Sequence, residues 1–303
     1  MKNIDFGNVE VRQNELLSKH SSFKVGGEAR YALFPRSSEE IMSAIDACKK
    51  NGCRYRIIGN ASNILFDDNG FDGVIIFTGG INSTQYIHKK GYTIVKVDCG
   101  KSLTELSSEV GKKHGLSGLE FAYGIPGTVG GAIFMNAGAY GGQMSDITLE
   151  TEYVDTTDGK IYSLKTEEQD FGYRRSMFQD HPEYVVISST LKLSEREPAD
   201  ILADMSKNMT ARKEKQPLEY PNAGSTFKRP PNGLFAGKLI EDSDLKGFTV
   251  GGAQVSEKHA GFIINKGGAT SADILELMKH IEKIVLEKFN VKLEPEIIYI
   301  PYQ

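Results

Sequence analysis

Apolar and polar positions along the chain follow two periods, and the switches between them mark out the elements. Ser37-Ser38-Glu39-Glu40 reads as a helix start, with Ile41, Ala44, Ile45 and Cys48 on one face up to Gly52. A strand at Tyr55 to Ile58, a polar turn at Gly59 to Asn63 and an apolar run at Val74 to Phe77 follow, a β-α-β-like unit. Ser102-Leu-Thr-Glu105 has the form of a capping box that opens a helix ending near Gly115. Residues 149–155, 160–164 and 184–193 alternate as strands do. Helix-forming residues from about 198 to 215 stop at Pro217, and the Pro-, Asn- and Gly-rich stretch from Pro217 to Asn232 reads as a subdomain junction. Beyond it the pattern predicts a short helix near 234–242, strands near 249–255 and 261–265, and a long helix from Ser271 to Phe289. Ile274, Leu277, Met278, Ile281, Ile284 and Val285 form one stripe of that helix, which is core. A last strand runs from Glu296 to Ile300, and no repeat or low-complexity segment interrupts the order. The fold class is mixed α+β.

At 303 residues the chain exceeds the usual single-domain size, so two or three subdomains are expected. A net charge of −4 with interspersed signs supplies no basic stripe, which argues against nucleic acid as a partner. No apolar run approaches the roughly 20 residues of a membrane helix, so no membrane partner is expected. The first ten residues lack the apolar core of a secretory signal. Cys48, Cys53 and Cys99 cannot all pair and show no metal spacing, which fits reduced thiols in the cytosol. The six histidines show no ligand grouping either, so no metal is expected. Nothing here sets the oligomeric state, and a monomer is compatible with the composition.

Residues 124–142 carry seven glycines and no charged side chain. Glycine costs roughly 0.5–1 kcal/mol relative to alanine in a regular element, so such a run is kept where φ is positive or where something approaches the backbone. Main-chain N–H groups aimed at a pyrophosphate are one reading, and an ordinary glycine-rich turn is the other. The run matches neither Gly-x-x-x-x-Gly-Lys-Ser/Thr nor Gly-x-Gly-x-x-Gly. Gly59-Asn60-Ala61-Ser62-Asn63 offers a second nest of N–H groups and short donors. Together the two loops could grip one pyrophosphate from both sides.

Further along, Tyr173-Arg174-Arg175-Ser176 places two arginines where they could bind a carboxylate or phosphate, or simply face solvent. Asn222-Ala-Gly-Ser225 has no histidine nearby in sequence, so Ser225 is a poor nucleophile; it is either a turn residue or a proton donor. Glu294 and Glu296 flank Pro295 and point to the same side if the segment is extended; an edge strand or an acid in a cleft would each explain them. His20 could be a covalent flavin attachment point, but nothing around it supports that.

Taken in order, His20 to Gly27, Gly59 to Asn63, Gly124 to Gly131 with Asn136-Ala137-Gly138, Tyr173 to Ser176, Asn222 to Ser225 and Leu293 to Glu296 span nearly the whole chain. In this the chain resembles the UDP-N-acetylenolpyruvoylglucosamine reductase family, flavoenzymes that make UDP-N-acetylmuramate for bacterial peptidoglycan. With little room between Ser176 and the strand at 184–193, it is similar to the shorter second type, without the tyrosine-bearing loop. The final strand lacks the glycine that commonly follows it, which bears on how the tail packs.

The resemblance implies a flavin domain of the vanillyl-alcohol-oxidase type that binds FAD non-covalently, followed by an α+β substrate domain. Its subdomains fall at 1–80, with strand 296–303 a candidate to return to it, at 81–215 and at 216–295. Gly59, Asn60, Ala61, Ser62, Asn63, Gly124, Ile125, Pro126, Gly127, Val129, Gly130, Gly131, Asn136, Ala137 and Gly138 are the implied FAD contacts. The implied reaction takes hydride from NADPH to the flavin and on to the vinyl carbon of UDP-N-acetylglucosamine enolpyruvate. Arg174 and Glu296 match the residues that stabilise the enolate-like carboxylate. Glu296 must then be protonated or act through a neighbour, since an ionised carboxylate would repel the intermediate. Ser225 matches the proton donor, while Tyr173, Lys215 and Asn222 are implied substrate contacts. Another oxidoreductase of the same flavin fold and a non-catalytic nucleotide-binding module compete with this reading; the latter leaves Arg174, Ser225 and Glu296 without roles.

Overall fold

The computed structural model describes residues 4–231 and 233–303. Met1 to Asn3 and Asn232, the far end of the junction expected at 217–232, lie outside the described residues. Among the described residues six α-helices form: α1 (Ser38–Lys50), α2 (Leu103–His114), α3 (Val129–Phe134), α4 (Pro198–Lys215), α5 (Ala236–Glu241) and α6 (Ser271–Phe289). By compactness the chain divides into two units that do not follow chain order. One takes the chain up to Arg12, Tyr31–Asn60 and Gly73–Ala211; the other takes Gln13–Arg30, Ala61–Asp72 and Arg212–Gln303.

The first unit has two cores. In one, Ile41, Ala44, Ile45 and Cys48 of α1 pack on Leu33, Val74 and Ile76, and Tyr55–Ile58 lies parallel to Val74–Phe77 across a connection, residues 59–73, that is long enough for a parallel pair and carries no α-helix. In the other, five antiparallel strands stand in the order Lys160–Lys165, Thr148–Asp155, Tyr184–Glu195, Tyr92–Asp98 and Thr84–Lys89, with Leu116–Ser117 on the end of the third. Val95, Val97, Leu191 and Leu193 face Leu103, Leu106 and Val110 of α2 and Val129, Ala132 and Ile133 of α3. The helix ends are as expected: Ser37 Oγ accepts from Glu40 N–H, Ser102 Oγ accepts from Glu105 N–H, and Gly115 closes α2 in the left-handed region. The strands Glu10–Leu16, Glu28–Phe34, Thr84–Lys89 and Tyr92–Asp98 have no counterpart in the sequence reading. Their apolar positions are too few, or their turns too plain, to announce them.

The second unit packs the predicted stripe of α6, Ile274, Leu277, Met278, Ile281 and Val285, on Leu239, Ile240, Val255, Ile263, Phe23 and Leu65. The single strand expected at 249–255 is instead a hairpin, Thr249–Val250 against Ala253–Val255, paired on to Ile263–Asn265. Gly251 and Gly252 make the turn: φ at Gly251 is +52°, and a Cβ there would collide with the Asp273 carboxylate. The last strand is Ile298–Ile300 and lies parallel to Ile64–Phe66. It starts later than expected because the main chain of Glu296 is engaged elsewhere.

The N-terminus of α6 shows why residues 61–72 belong with a helix some 200 positions later. Asp68 Oδ1 accepts from Ser271 N–H at 2.7 Å, and Oδ2 accepts from Ala272 N–H at 3.2 Å and Ser271 Oγ at 2.8 Å. Thr270 Oγ1 accepts from Asp273 N–H at 3.0 Å, so the first three amides that an α-helix leaves without partners are satisfied. Asp68→Ala is expected to lower stability by about 1–2 kcal/mol, through two bare amides and a lost negative charge at the dipole's positive end. Urea unfolding checks this: the midpoint should fall with the slope unchanged, and an unmoved midpoint would show that Asp68 does not hold the helix.

Candidate active site

Two of the predicted loops meet in the first unit. Asn60 Nδ2 donates to Pro126 O at 2.9 Å, and a Cβ at Gly59 would collide with Thr128 Oγ1. Thr128 is the N-cap of α3, its hydroxyl accepting from Gly131 N–H at 3.3 Å. The glycine run therefore contains a helix, and several of the run's amides are committed to carbonyls outside that helix. Val129 N–H donates to Lys101 O, Gly130 N–H to Cys99 O, and Ile125 N–H to Ala122 O. Among the described residues no acceptor stands opposite the N–H groups of Gly59, Asn60, Gly124, Gly127 and Thr128. Main-chain donors without partners in a folded chain are an anion's natural ligands, so these residues fit a pyrophosphate. The amides of Ala61, in the left-handed region at φ +46°, and Ser62 likewise meet no acceptor among the described residues.

The glycines of the run divide by cause. Gly130 is small because Cys99 Cβ would stand 2.9 Å from a Cβ there, and Gly138 because Gln143 Cβ would stand at 2.8 Å. These are close approaches of chain to chain. Burial pushes the Cys99 thiol up to about 12, leaving it a neutral packing group. Gly131 is exposed, with only Thr128 Oγ1 within reach of a Cβ. Thr128 is not among the contacts that the resemblance implies; a threonine ahead of Val-Gly-Gly is the N-cap signal that marks it.

Asn136 and the arginine turn are tied together. Asn136 is buried at φ +41°; its Nδ2 donates to Gly172 O at 2.9 Å and its Oδ1 accepts from Ser145 N–H at 3.0 Å. Its amide is committed within the chain, so it shapes the site. Gly172 and Arg175 exchange main-chain hydrogen bonds, which sets Tyr173 and Arg174 at the tip of a tight turn, Arg174 at φ +54°. The two arginines then part. Arg175 pairs with Asp170 and Asp180 at 3.2 and 2.7 Å on the surface. Arg174 donates to Gly138 O at 3.0 Å and lies 5.2 Å from the centre of the Tyr173 ring, which is half exposed.

In the second unit Ser225 is exposed, next to a residue held from three sides. Thr226 N–H donates to Gly261 O at 2.8 Å, Thr226 Oγ1 accepts from Ile263 N–H at 3.1 Å, and Thr226 O accepts from Glu296 N–H at 2.9 Å. Asn63 Nδ2 donates to Glu296 O at 2.9 Å. Ser225, Glu296 and Asn63 are thus gathered from three distant parts of the sequence. Glu294 pairs with Lys228 Nζ at 2.5 Å and is 70% exposed. Between the two glutamates Pro295 forms an antiparallel bridge to Phe227, flanked by Lys228 N–H donating to Glu294 O at 2.8 Å and Glu296 N–H to Thr226 O.

Asn222, expected to contact substrate, has its amide engaged: Oδ1 accepts from Gly224 N–H at 3.0 Å, and Nδ2 donates to Tyr220 O at 2.8 Å and Pro217 O at 3.2 Å. It builds the turn that presents Ser225. Lys215 is the exposed last residue of α4. His259, which the sequence marks only as one of six histidines without a ligand grouping, accepts from Gly261 N–H at Nδ1 (3.0 Å). Burial holds its pKa below the ordinary range, so it is neutral at physiological pH with the proton on Nε2. It braces the loop whose carbonyl takes Thr226 N–H, and 34 intervening residues hide that relation in the sequence. Among the described residues no group of three or more His, Cys, Asp or Glu could hold a metal ion, and no helix is long and apolar enough to cross a membrane.

Residues 29–165 match the FAD binding domain model, and residues 216–300 match the C-terminal domain model of UDP-N-acetylenolpyruvoylglucosamine reductase. The reductase of that name from Clostridium novyi is 46% identical over 95% of this chain and 91% of its own length. The one from Caldicellulosiruptor saccharolyticus is 42% identical over 97% and 93%. The crystal structure of UDP-N-acetylenolpyruvylglucosamine reductase from Thermus caldophilus superposes with a TM-score of 0.78 at 36% identity, covering 97% of this chain and 99% of that one. The chain belongs to the UDP-N-acetylenolpyruvoylglucosamine reductase family, and is an FAD-dependent oxidoreductase of mixed α+β fold.

Proposed function

We propose that the chain reduces the enolpyruvyl ether of UDP-N-acetylglucosamine enolpyruvate to UDP-N-acetylmuramate, with NADPH as the source of hydride. Residues 1–80 and 81–215 serve the flavin and residues 216–295 the sugar nucleotide. Bound there, FAD would supply the two-electron hydride chemistry between NADPH and the vinyl group of the substrate. The main-chain donors at Gly59, Asn60, Gly124, Gly127 and Thr128 hold its pyrophosphate, and Gly130, Gly138 and Asn136 keep the loop that presents them in shape.

The observation that carries the reading is the seating of Ser225 beside Glu296 through the Thr226–Glu296 main-chain bond. Hydride addition leaves an enolate-like carboxylate and a carbon that needs a proton. Ser225 Oγ gives that proton; a serine without a histidine partner is suited to donation toward a carbanion rather than to nucleophilic attack. Arg174 takes the developing negative charge on the carboxylate, the task a guanidinium does bidentately. Glu296 assists as the neutral acid, while Glu294 is held at the surface by Lys228. Tyr173 and Lys215 contact the nucleotide, and Asn222 acts by fixing the turn that carries Ser225.

Purified protein should be yellow, and NADPH should bleach it anaerobically without the sugar nucleotide. A colourless protein that fails to take up FAD would sink the reading. In Ser225→Ala, bleaching by NADPH should survive while turnover of the enolpyruvyl sugar falls by roughly 10²–10⁴, the usual contribution of a general acid; wild-type turnover would remove Ser225 from the mechanism. Replacing each glutamate by glutamine separates the two carboxylates. Glu296→Gln should depress turnover and leave the NADPH half-reaction intact, whereas Glu294→Gln, which removes only an exposed ion pair, should stay within about twofold of wild type. The reverse ranking in steady-state assays would exchange their roles.

A further inference from the structure

The C-terminus of α1 closes as a Schellman motif. Gly52 lies at φ +63°; its N–H donates to Lys49 O at 3.1 Å, and Cys53 N–H donates to Cys48 O at 2.8 Å. This motif brings the side chains at its first and last positions together as an apolar pair, and here both members of the pair are cysteines. Cys48 is buried among Ile41, Ala44 and Ile45, and half-buried Cys53 packs against the same cluster.

We propose that Cys48 and Cys53 are an oxidisable dithiol, a modification site that takes low-molecular-weight disulfides and ends as an internal disulfide. The direct main-chain bond between the two residues keeps their Cα atoms close, and a disulfide asks for roughly 4.4–6.8 Å between them. Cys53 begins the exchange because it is the one of the two that solvent reaches. Its sulfur loses a proton and attacks one sulfur of the small disulfide, expelling one small thiol and leaving a mixed disulfide. Cys48 Sγ then loses its proton, attacks the Cys53 sulfur and expels the second small thiol. Two protein thiols are oxidised by two electrons, and the reagent leaves as two thiols. Burial, with Cys53 close by, pushes the Cys48 thiol up to about 12, so Cys48 does not initiate, and its attack on the mixed disulfide rests on the proximity that the Schellman motif supplies. Cys53 Sγ now donates weakly to Asn51 O at 3.8 Å, and rotation about χ1 frees it. Tyr55–Ile58 starts two residues on and leads directly into Gly59, so the crosslink would sit at the root of the strand that precedes the Thr128 contact.

The test is oxidised glutathione added to the native, FAD-loaded protein, followed by alkylation of remaining thiols under denaturing conditions and tryptic mass mapping. Cleavage after Lys49 and Arg54 puts Cys48 and Cys53 on separate peptides. The expected product is those two peptides joined by a disulfide, the chain lighter by two hydrogens, and Cys99 alkylated as the internal control, since it is buried. In Cys48→Ser the exchange should stop at a mixed disulfide on Cys53. A persistent glutathione adduct on Cys53 of the wild-type chain beside alkylated Cys48 would overturn the proposal, as would an unmodified Cys53.

Discussion

Ile64–Phe66 and Ile298–Ile300 lie parallel, and a set of hydrogen bonds around this pairing ties residues more than 200 positions apart. Asn63 O accepts from Ile298 N–H at 3.0 Å, Ile300 O accepts from Asp67 N–H at 3.1 Å, and Asn63 Nδ2 holds Glu296 O. Tyr299 donates to Asp67 in a short hydrogen bond, and the carboxylate, also accepting from Asn69, is held below its ordinary range. One residue on, Asp68 caps α6. Parallel strands cannot be joined by a short turn, so this pairing requires that the middle of the chain be folded away elsewhere. The geometry of Glu296 follows from it, and through the Thr226 bond so does the seat of Ser225.

A second constraint runs through both units: where two stretches of main chain approach, no side chain fits. At Gly59 and Gly130 in the first unit, and at Gly251 and Gly252 in the second, a Cβ would strike a neighbouring group of the protein itself. The donors left for a ligand are those that neither α3 nor the Ser102–Thr128 bridge consumes. Glycine richness in residues 124–142 thus serves packing and presentation together, and the two uses fall on different glycines.

Side-chain amides do much of the shaping. Asn222 satisfies donor and acceptor inside its own loop, and Asn136 does so by tying its loop to the turn at Gly172, which fixes main-chain conformation near residues assigned to chemistry. An amide bonded in this way is a positioning group, and its replacement acts through the loop it holds. The adjacent arginines make the same point in charge. Arg175 is neutralised by two exposed aspartates, while Arg174, turned by its positive φ, reaches Gly138.

Long periodic elements were legible because the 3.6 and 2.0 periods are local properties of a chain that buries one face. α1, α2, α4 and α6, and the strands at 148–155, 160–165 and 184–195, lie where the pattern puts them, within a residue or two. The motifs also showed which loops to watch, since a glycine run without charge admits few uses. What stayed hidden depends on partners far away in sequence. The hairpin within 249–255 turns at Gly251 because Asp273 occupies the space beside it. Glu294 and Glu296 have the same chemistry and nearly the same sequence surroundings; Lys228 and Asn63 tell them apart. By itself the sequence determined the element types, the loops rich in donors and the residue types available for chemistry, because those rest on local periodicity and composition. Which amides remain unbonded, which arginine turns inward and which glutamate bonds through its main chain to Thr226, next to Ser225, was decided only by the tertiary structure, because each depends on a contact that no local pattern encodes.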